Sequence, residues 1–370
     1  MTEGNATLAR SRIEGLRIGA FRFPTDAPES DGTLEWKSTG LIVVELTAGA
    51  ETGLGYTYGD TAVALILSEL QTEIEGHHVA ELPALWTRMI ARLRNMGRQG
   101  ATAMAVSAID IALWDLKAKQ SGLALAELLG CSRNALPIYG SGGFTSYSDA
   151  QLQTQFLAWA ERGITRFKMK VGREPSRDRH RVSVARATIP DGAELFVDAN
   201  SAYSCNQALE FARAFVDESD VRWMEEPLSP EDFAGLRFLR ERVPPQLELA
   251  EGEYGYDANY FRQMMEAHAI DVVMADATRC GGITGFLKIA ALCEAFHLPL
   301  SSHCAPSLHV APGCAAASMR HAEYFHDHAR IEHELFDGAP EPDGGLLRPD
   351  LSRPGLGLDF KWTDAEPYAV

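Results

Sequence analysis

The chain has 370 residues, 46% of them hydrophobic, which is long enough for an α/β barrel together with a second structural unit. Its 34 basic and 51 acidic residues give a formal net charge of −17, which argues against nucleic acids and anionic membrane surfaces as partners. No apolar run approaches the ~20 residues of a membrane span, no signal-peptide core is present and the six cysteines form no CxxC pair, so we expect a soluble, cytoplasmic protein with reduced thiols.

Residues 1–133 predict an α+β domain. The segments GLRIGAFRF and LIVVELTAG have the composition of strands, and GLGYTYG is expected to complete a short antiparallel meander. PTDAPESDGTLEW lies between the first two segments and is rich in Pro and Asp, so we expect a polar loop there. Three helical patterns follow. The third, TAMAVSAIDIALWDLKAKQSG, is apolar on almost all sides, which indicates burial against a neighbouring unit.

Residues 134–334 have a different rhythm, in which short apolar runs alternate with amphipathic helical patterns. The runs are LPIYGS, RFKMKVG, ELFVDAN, VRWMEEP, LELAEGE, VVMADAT, PLSSH and HAEYF. Eight such alternations favour a parallel sheet closed into a (β/α)₈ barrel over an open doubly wound sheet. Residues 335–370 are rich in Gly, Pro and Asp, and we expect this segment to pack back on the first domain.

Ionisable or amide side chains are concentrated where these runs end. They are Lys168, Lys170, Asp198, Asn200, Glu225, Glu226, Glu251, Glu253, Asp276, His303 and Glu323. Active sites of (β/α)₈ barrels form at the C-terminal ends of the strands. In RFKMKVG the side chains alternate, so Lys168 and Lys170 share the face opposite to Phe167 and Met169. A half-exposed strand with both lysines in water is the alternative, but the charges at neighbouring strand ends favour lysines that point into a catalytic cavity.

Three carboxylates, Asp198, Glu225 and Glu253, lie 27 and 28 residues apart, which is one strand–helix repeat each time. Such carboxylates would repel one another unless a hard cation lay between them, and ligands that are all oxygen favour Mg²⁺, with Mn²⁺ as the second choice. Glu226 could replace Glu225 in this set, and Glu251 could replace Glu253.

Two further pairs predict proton transfer. Asp276 and His303 are 27 residues apart on adjacent predicted strands, and a carboxylate beside an imidazole fixes its tautomer and raises its basicity. Lys168 lies two residues before Lys170 on the same face, so we expect like-charge repulsion to lower the pKa of Lys170 and make it a usable amine base.

Taken together, these motifs resemble the enolase superfamily, mandelate racemase subgroup. The matching motifs are KMK, DAN, EEP, GE, ADATRCGG, SSH and HAEY, on the second to eighth predicted barrel strands. The resemblance covers essentially the whole chain, and it implies that the first domain and the C-terminal segment together form a capping domain.

The resemblance also implies the chemistry. Mg²⁺ held by the three predicted carboxylates would bind the carboxylate of the substrate while a base removes the proton α to it. Lys170 would serve one face of the α-carbon, and His303, supported by Asp276, would serve the other. Lys168 would bind the substrate carboxylate and stabilise the enediolate, and Glu323 would hydrogen-bond a carboxylate oxygen on the side opposite the metal.

The predicted substrate is a small carboxylate with several hydroxyl groups, an acid sugar. Asn200, Tyr56 and the polar segments 26–36 and 56–58 suggest partners for such hydroxyls, although solvated loops are the simpler explanation for the segments. No lysine occurs between residues 271 and 286, which counts against a muconate cycloisomerase-like or dipeptide-epimerase activity.

The sequence thus predicts a Mg²⁺-dependent acid-sugar dehydratase that forms a 2-keto-3-deoxy acid. A racemase or epimerase of a 2-hydroxy acid is the first alternative. A barrel that binds metal without turnover is the second, and the presence of both predicted bases argues against it. We expect a homo-oligomer.

Overall fold

The computed structural model describes residues 11–370, so the first ten residues of the predicted N-terminal domain lie outside the described part. That domain consists of an antiparallel three-stranded sheet, ordered β1-β2-β3, and helices packed against it. Its elements are β1 (Gly15–Ser30), β2 (Glu35–Ala48), β3 (Glu51–Tyr58), α1 (Ala62–Ile74), α2 (Leu82–Arg92), α3 (Ala101–Gln120) and α4 (Leu125–Leu129). The α+β prediction is confirmed in the described residues.

The prediction of a polar loop over PTDAPESDGTLEW is wrong for the first half of that segment, because β1 continues to Ser30. Pairing with β2 is irregular after Pro24 and resumes where Glu29 faces Trp36. β1 is an edge strand, where the missing N–H of a proline is tolerated. Asp31 then closes a tight turn, because its Oδ1 accepts from the backbone N–H groups of Thr33 (2.7 Å) and Leu34 (2.6 Å).

Helix α3 is buried along most of its length, as its apolar composition predicted. Its polar side chains are used to join the two units. Ser107 Oγ accepts from the N–H groups of Gly281 (2.9 Å) and Gly282 (3.1 Å), and Asp110 accepts from the N–H (2.9 Å) and hydroxyl (2.6 Å) of Thr284. These bonds fix the N-terminal domain against the barrel helix that begins at Gly282.

Eight parallel strands follow, and the last pairs with the first, so the sheet closes into a barrel. The strands are β4 (Leu136–Gly142), β5 (Arg166–Lys170), β6 (Glu194–Asp198), β7 (Val221–Glu225), β8 (Glu248–Glu251), β9 (Val272–Ala275), β10 (Leu300–Ser302) and β11 (Met319–Phe325). The helices are α5 (Asp149–Glu161), α6 (Pro175–Thr188), α7 (Cys205–Ser219), α8 (Phe233–Arg240), α9 (Ala258–Glu266), α10 (Gly282–Phe296), α11 (Pro306–Ala315) and α12 (His326–Leu335). All eight predicted runs contain a strand, and the predicted fold is confirmed.

The barrel strands have two faces with different surroundings. Phe167 of β5 packs outward against Phe156 of α5, with ring centroids 5.3 Å apart, while Lys168 between its apolar neighbours points into the barrel. Below the strand ends the interior is filled by a buried apolar layer. Its members are Tyr139, Phe196, Trp223, Ala250, Val272 and Met274. This layer fills the barrel interior, and the charged groups lie at the C-terminal ends of the strands.

The C-terminal segment contains β12 (Phe336–Asp337), β13 (Leu346–Leu347), β14 (Asp359–Phe360) and α13 (Trp362–Ala365). It returns to the N-terminal domain, as expected: Trp362 Nε1 donates to Glu45 Oε1 (2.8 Å), and the rings of Phe21 and Phe360 lie 5.3 Å apart. The predicted boundaries at residues 133 and 334 stay predictions. Within residues 11–370, no helix has both the length and the hydropathy that crossing a membrane requires.

Candidate active site

The carboxylates of Asp198, Glu225 and Glu253 meet at the C-terminal ends of three adjacent strands. Asp198 ends β6, Glu225 ends β7 and Glu253 follows β8 by two residues. All three side chains are buried, and one ligand oxygen from each lies within 4.8 Å of the other two. We refer to these residues as the carboxylate triad. The strand register explains the grouping, since Asp198 pairs directly with Glu225 across β6 and β7.

Local backbone geometry decides between the alternatives that the sequence left open. Gly252 has φ +136°, and a Cβ there would lie 2.1 Å from the carbonyl oxygen of Met274. Only glycine fits this position. The backbone turns there, so Glu253 and not Glu251 joins the triad. Glu226 also has a positive φ, +41°, and its side chain turns away from the triad to accept from Asn200 Nδ2 (3.4 Å).

The triad has the chemistry of a hard-cation site. It offers oxygen ligands only, and Glu253 Oε2 is buried with no hydrogen-bond partner among the described residues. Burial and the neighbouring Asp198 raise the pKa of Glu225, although Lys168 opposes this shift. Buried carboxylates with an unsatisfied oxygen are stabilised by a cation, and oxygen-only sets favour Mg²⁺ over softer metals. The residues present therefore fit the predicted ion.

Lys168 is the central cation of the site, and its side chain is fully buried. Its Nζ lies 2.8 and 2.7 Å from the two oxygens of Glu225, 2.7 Å from Glu323 Oε1 and 3.3 Å from Asp198 Oδ2. Burial alone lowers the pKa of Lys168, but these carboxylates outweigh it and hold the pKa well above its ordinary value. The ammonium therefore places a positive charge beside the triad.

Lys170 lies at the edge of the same cluster, with Nζ 2.5 Å from Asp198 Oδ2. We expected like-charge repulsion from Lys168 to leave Lys170 with a lowered pKa. Lys168 does act in that direction, but the predicted net lowering is wrong for this arrangement. Burial and Lys168 do act downward, but the ion pair with Asp198 is stronger, so the pKa lies above its ordinary value. A nearby carboxylate at hydrogen-bond distance outweighs a like charge that is itself paired.

His303 contacts the opposite side of the triad. Its Nδ1 lies 2.8 Å from Asp276 Oδ2, which assigns the proton to Nδ1 and leaves Nε2 to face the site, 3.5 Å from Glu253 Oε2. Burial alone would raise the pKa of Asp276, but His303 and Arg279 hold it below its ordinary range, so the carboxylate is ionised. Thr278 N–H donates to Asp276 Oδ1 (2.7 Å) and fixes the carboxylate plane.

Glu323, near the end of β11, joins the two halves of the site. Its Oε1 accepts from Ser141 Oγ (2.6 Å) and contacts Lys168, and its Oε2 accepts from the N–H of Cys304 (2.7 Å). Burial acts to raise the pKa of Glu323, but Lys168 and His303 lower it below the ordinary value. Both oxygens are thus used as acceptors by protein donors, and the predicted bond to a substrate oxygen stays a prediction.

The two predicted substrate-binding residues have different outcomes. Asn200 lies at the barrel mouth, buried, with Oδ1 unpaired among the described residues and the backbone strained at φ +43°. Tyr56 is not brought to the site. Its side chain is fully buried between the domains, its hydroxyl donates to Glu332 Oε1 (2.9 Å), and its ring packs on Phe336 at 4.8 Å. β3 places Tyr56 in the interface because alternate strand residues face the barrel.

The prediction missed three residues that support the site. Arg279 Nη1 donates to the backbone oxygen of Glu253 (3.1 Å), and its Nε lies 3.6 Å from Asp276 Oδ2, so it bridges the triad and the His303 pair. Trp223 Nε1 donates to Glu225 Oε2 (3.1 Å), and Ser141 binds Glu323. Arg279 stands within the quoted ADATRCGG motif, which was the available signal. Trp223 and Ser141 point into the barrel, as the alternation along their strands requires. No sequence motif, however, distinguishes them as residues of the site.

Comparison with known proteins identifies the family. Residues 151–365 match the family described as "Enolase C-terminal domain-like", and residues 25–130 match "Mandelate racemase / muconate lactonizing enzyme, N-terminal domain". A curated relative from Streptomyces coelicolor, 3,6-anhydro-alpha-L-galactonate cycloisomerase, is 33% identical over 94% of this chain and 98% of its own. Other curated relatives are named as dehydratases of sugar acids or as cycloisomerases.

Solved structures agree with this fold over nearly all of the chain. A mandelate racemase/muconate lactonizing enzyme-like protein from Rubrobacter xylanophilus has 50% sequence identity and a TM-score of 0.95, covering 97% of this chain and 100% of that one. L-talarate dehydratase from Polaromonas sp. JS666, solved with Mg and L-glucarate, has 31% identity and a TM-score of 0.87, with 98% of both chains covered. The chain therefore belongs to the mandelate racemase/muconate lactonizing enzyme family of the enolase superfamily.

Proposed function

We propose that this protein is a Mg²⁺-dependent acid-sugar dehydratase. The observation that carries the proposal is the placement of two proton-transfer groups on opposite sides of one carboxylate triad. Lys170 contacts Asp198, while His303 faces Glu253. When bound by the triad, Mg²⁺ would hold the substrate carboxylate and stabilise the negative charge that develops as the α-proton leaves.

The residues of the chain divide the remaining work. Lys168, buried and within 2.7 Å of Glu225, stabilises charge on the substrate carboxylate. Lys170 is placed to exchange a proton with one face of the α-carbon, and it could act as a base only if Asp198 paired with a bound cation in place of Lys170. His303 exchanges a proton with the other face through Nε2, and Asp276 keeps its Nδ1 protonated. A positioned imidazolium can then protonate a departing β-hydroxyl group.

The dehydratase proposal is supported by relatives as well as by the two bases. An L-talarate dehydratase that covers 98% of this chain is solved with Mg and the acid sugar L-glucarate. Asn200, with an unpaired carbonyl oxygen at the barrel mouth, offers an acceptor for a substrate hydroxyl. We further propose that the protein acts in the cytoplasm, because its six cysteines are free. The homo-oligomer stays a prediction.

The test is a screen of mono- and diacid sugars for 2-keto acid formation, read as semicarbazones, with Mg²⁺ and with a chelator. We expect one group of stereoisomers to give a product lighter by one water, and no product when divalent ions are removed. His303→Asn should abolish product formation. Turnover that persists in metal-free protein, or in His303→Asn, would contradict the proposal.

A second candidate is a cycloisomerase, because a curated relative of that activity covers nearly the whole chain at 33% identity. The same two bases would then act on a cyclic acid sugar. Mass spectrometry separates the candidates, since an isomerisation leaves the mass unchanged while a dehydration removes one water. Inversion or α-deuteration without a keto acid would indicate the racemase alternative.

A further inference from the structure

A second group of metal-ligating side chains lies outside the carboxylate triad, at the far end of β1. Asp26 and Glu29 of β1 and His326, the first residue of α12, each offer one ligand atom, and these atoms lie within 4.8 Å of one another. His326 Nε2 is 3.0 Å from Asp26 Oδ2. The group joins the N-terminal domain to the barrel, and the proposed function makes no use of it.

The unusual member of the group is Glu29, because its side chain is fully buried. Its Oε2 accepts from Trp36 Nε1 (2.8 Å), but Oε1 has no hydrogen-bond partner among residues 11–370. Leaving a buried carboxylate oxygen unpaired costs free energy, and a coordinated cation would offset that cost. An ion pair between Asp26 and His326 does not by itself explain why the Glu29 carboxyl is buried beside these two side chains.

The surroundings also favour a cation. Asp327 is buried beside the group and is paired with Arg330 (2.5 Å), and Asp26 is paired with His326 (3.0 Å). Within residues 11–370, the buried Glu29 carboxyl has no such cationic partner. An open cavity of about 600 Å³ adjoins Asp26 and His326, which leaves room for an ion and its remaining water ligands. The side chain of His326 is 23% exposed and that of Asp26 is 46% exposed, so the site is accessible from this cavity.

We propose that Asp26, Glu29 and His326 form a second divalent-cation site, distinct from the carboxylate triad and selective for Zn²⁺-like ions. One imidazole nitrogen with two carboxylates suits Zn²⁺, whereas the triad, with oxygen ligands only, suits Mg²⁺. Bound there, the ion would tie β1 to α12. The turn that follows β1 rests on the barrel mouth, because Thr33 Oγ1 donates to the backbone oxygen of Asn200 (3.3 Å). The ion would thus hold this turn in place.

The experiment is calorimetric titration of Zn²⁺ into protein that already holds excess Mg²⁺, comparing the wild type with His326→Ala and Glu29→Gln. If Zn²⁺ displaces Mg²⁺ from the triad, it should do so equally in all three proteins, so this process does not affect the comparison. We expect the wild type to bind one more Zn²⁺ than His326→Ala, and Glu29→Gln to lose at least about 100-fold in affinity at that site, since even outer partners of metal ligands are worth 10–100-fold. Circular dichroism checks that each variant is folded.

His180→Ala is the matched control, because His180 Nε2 lies 2.8 Å from Asp149 Oδ2 in an exposed pair that has no third ligand among residues 11–370. It should bind as many Zn²⁺ ions as the wild type. A second readout needs no turnover: Co²⁺ at the site should quench the fluorescence of Trp36, which contacts Glu29, and His326→Ala should remove the quenching. Equal Zn²⁺ stoichiometry and affinity in the wild type and His326→Ala would overturn the proposal and leave Asp26 and His326 as an ion pair only.

Discussion

Replacing Lys168 by Met removes the central cation of the site while keeping most of its side-chain volume. The ammonium lies within 2.8 Å of Glu225 and Glu323 and 3.3 Å from Asp198, and it is fully buried. Breaking a buried ion pair by removing one partner costs about 3–5 kcal/mol. The unfolding entropy of a chain of this length is about 0.8 kcal/mol/K, so we expect the melting temperature to fall by roughly 5 °C.

The assay is scanning calorimetry in the presence of a chelator, with Lys119→Met as the control. Lys119 Nζ also pairs with a buried carboxylate, that of Asp115 (2.8 Å), but Asp115 keeps two backbone donors, the N–H groups of Leu54 (2.7 Å) and Leu356 (2.6 Å). The control should therefore lose less stability. Added Mg²⁺ should restore part of the loss in Lys168→Met. An unchanged melting temperature in the chelator would refute the idea that this ammonium compensates the carboxylates.

Three further predictions test other parts of the structure. Asp276→Asn should lower the turnover of the identified substrate by about 10²–10⁴-fold with little change in melting temperature, because the Asn oxygen stays with the Thr278 N–H while its NH₂ group faces His303 Nδ1 and favours the wrong tautomer. Gly252→Ala should cost about 2–4 kcal/mol in urea unfolding, since the residue has positive φ and the new Cβ meets a backbone oxygen at 2.1 Å; a loss below 1 kcal/mol would contradict this. Burial raises the pKa of Glu332 to about 7, so its contribution to stability is complete below its ordinary pKa and is lost as the pH rises to 7. Relative to Glu332→Gln, the wild type should lose about 3 kcal/mol of unfolding free energy between pH 4.5 and 7 and change little above; a flat difference across that range would argue against the shift.

The eight strand–helix repeats predicted the barrel, and the alternation of side chains along each strand predicted most of the charged residues of the site. The period of two that turns Phe167 outward turns Lys168 inward, and the repeat between Asp198 and Glu225 brings these carboxylates to adjacent strand ends. Both features are local in sequence once a parallel barrel is assumed, so they can be deduced from the spacing of residues alone.

The features that the sequence did not predict depend on contacts between distant segments. β1 extends past Pro24 because β2 pairs with it again where Glu29 faces Trp36. Tyr56 lies in the interface between the domains, where its hydroxyl donates a hydrogen bond to Glu332. The pKa of Lys170 is raised because Asp198 forms an ion pair with it. The sequence shows that Lys168 is two residues away, but it does not show this contact with Asp198. Such effects depend on distances between side chains, which a strand pattern does not contain.

The most direct test of the central claim is proton NMR in D₂O with Mg²⁺ and the acid sugar identified by the screen. We expect the α-proton signal to disappear while a 2-keto-3-deoxy acid with deuterium at C3 accumulates, and we expect the Lys170→Ala, His303→Asn double variant to show neither change. Retention of the α-proton as product forms, or equal turnover in the double variant, would contradict the assignment of this site to α-proton abstraction.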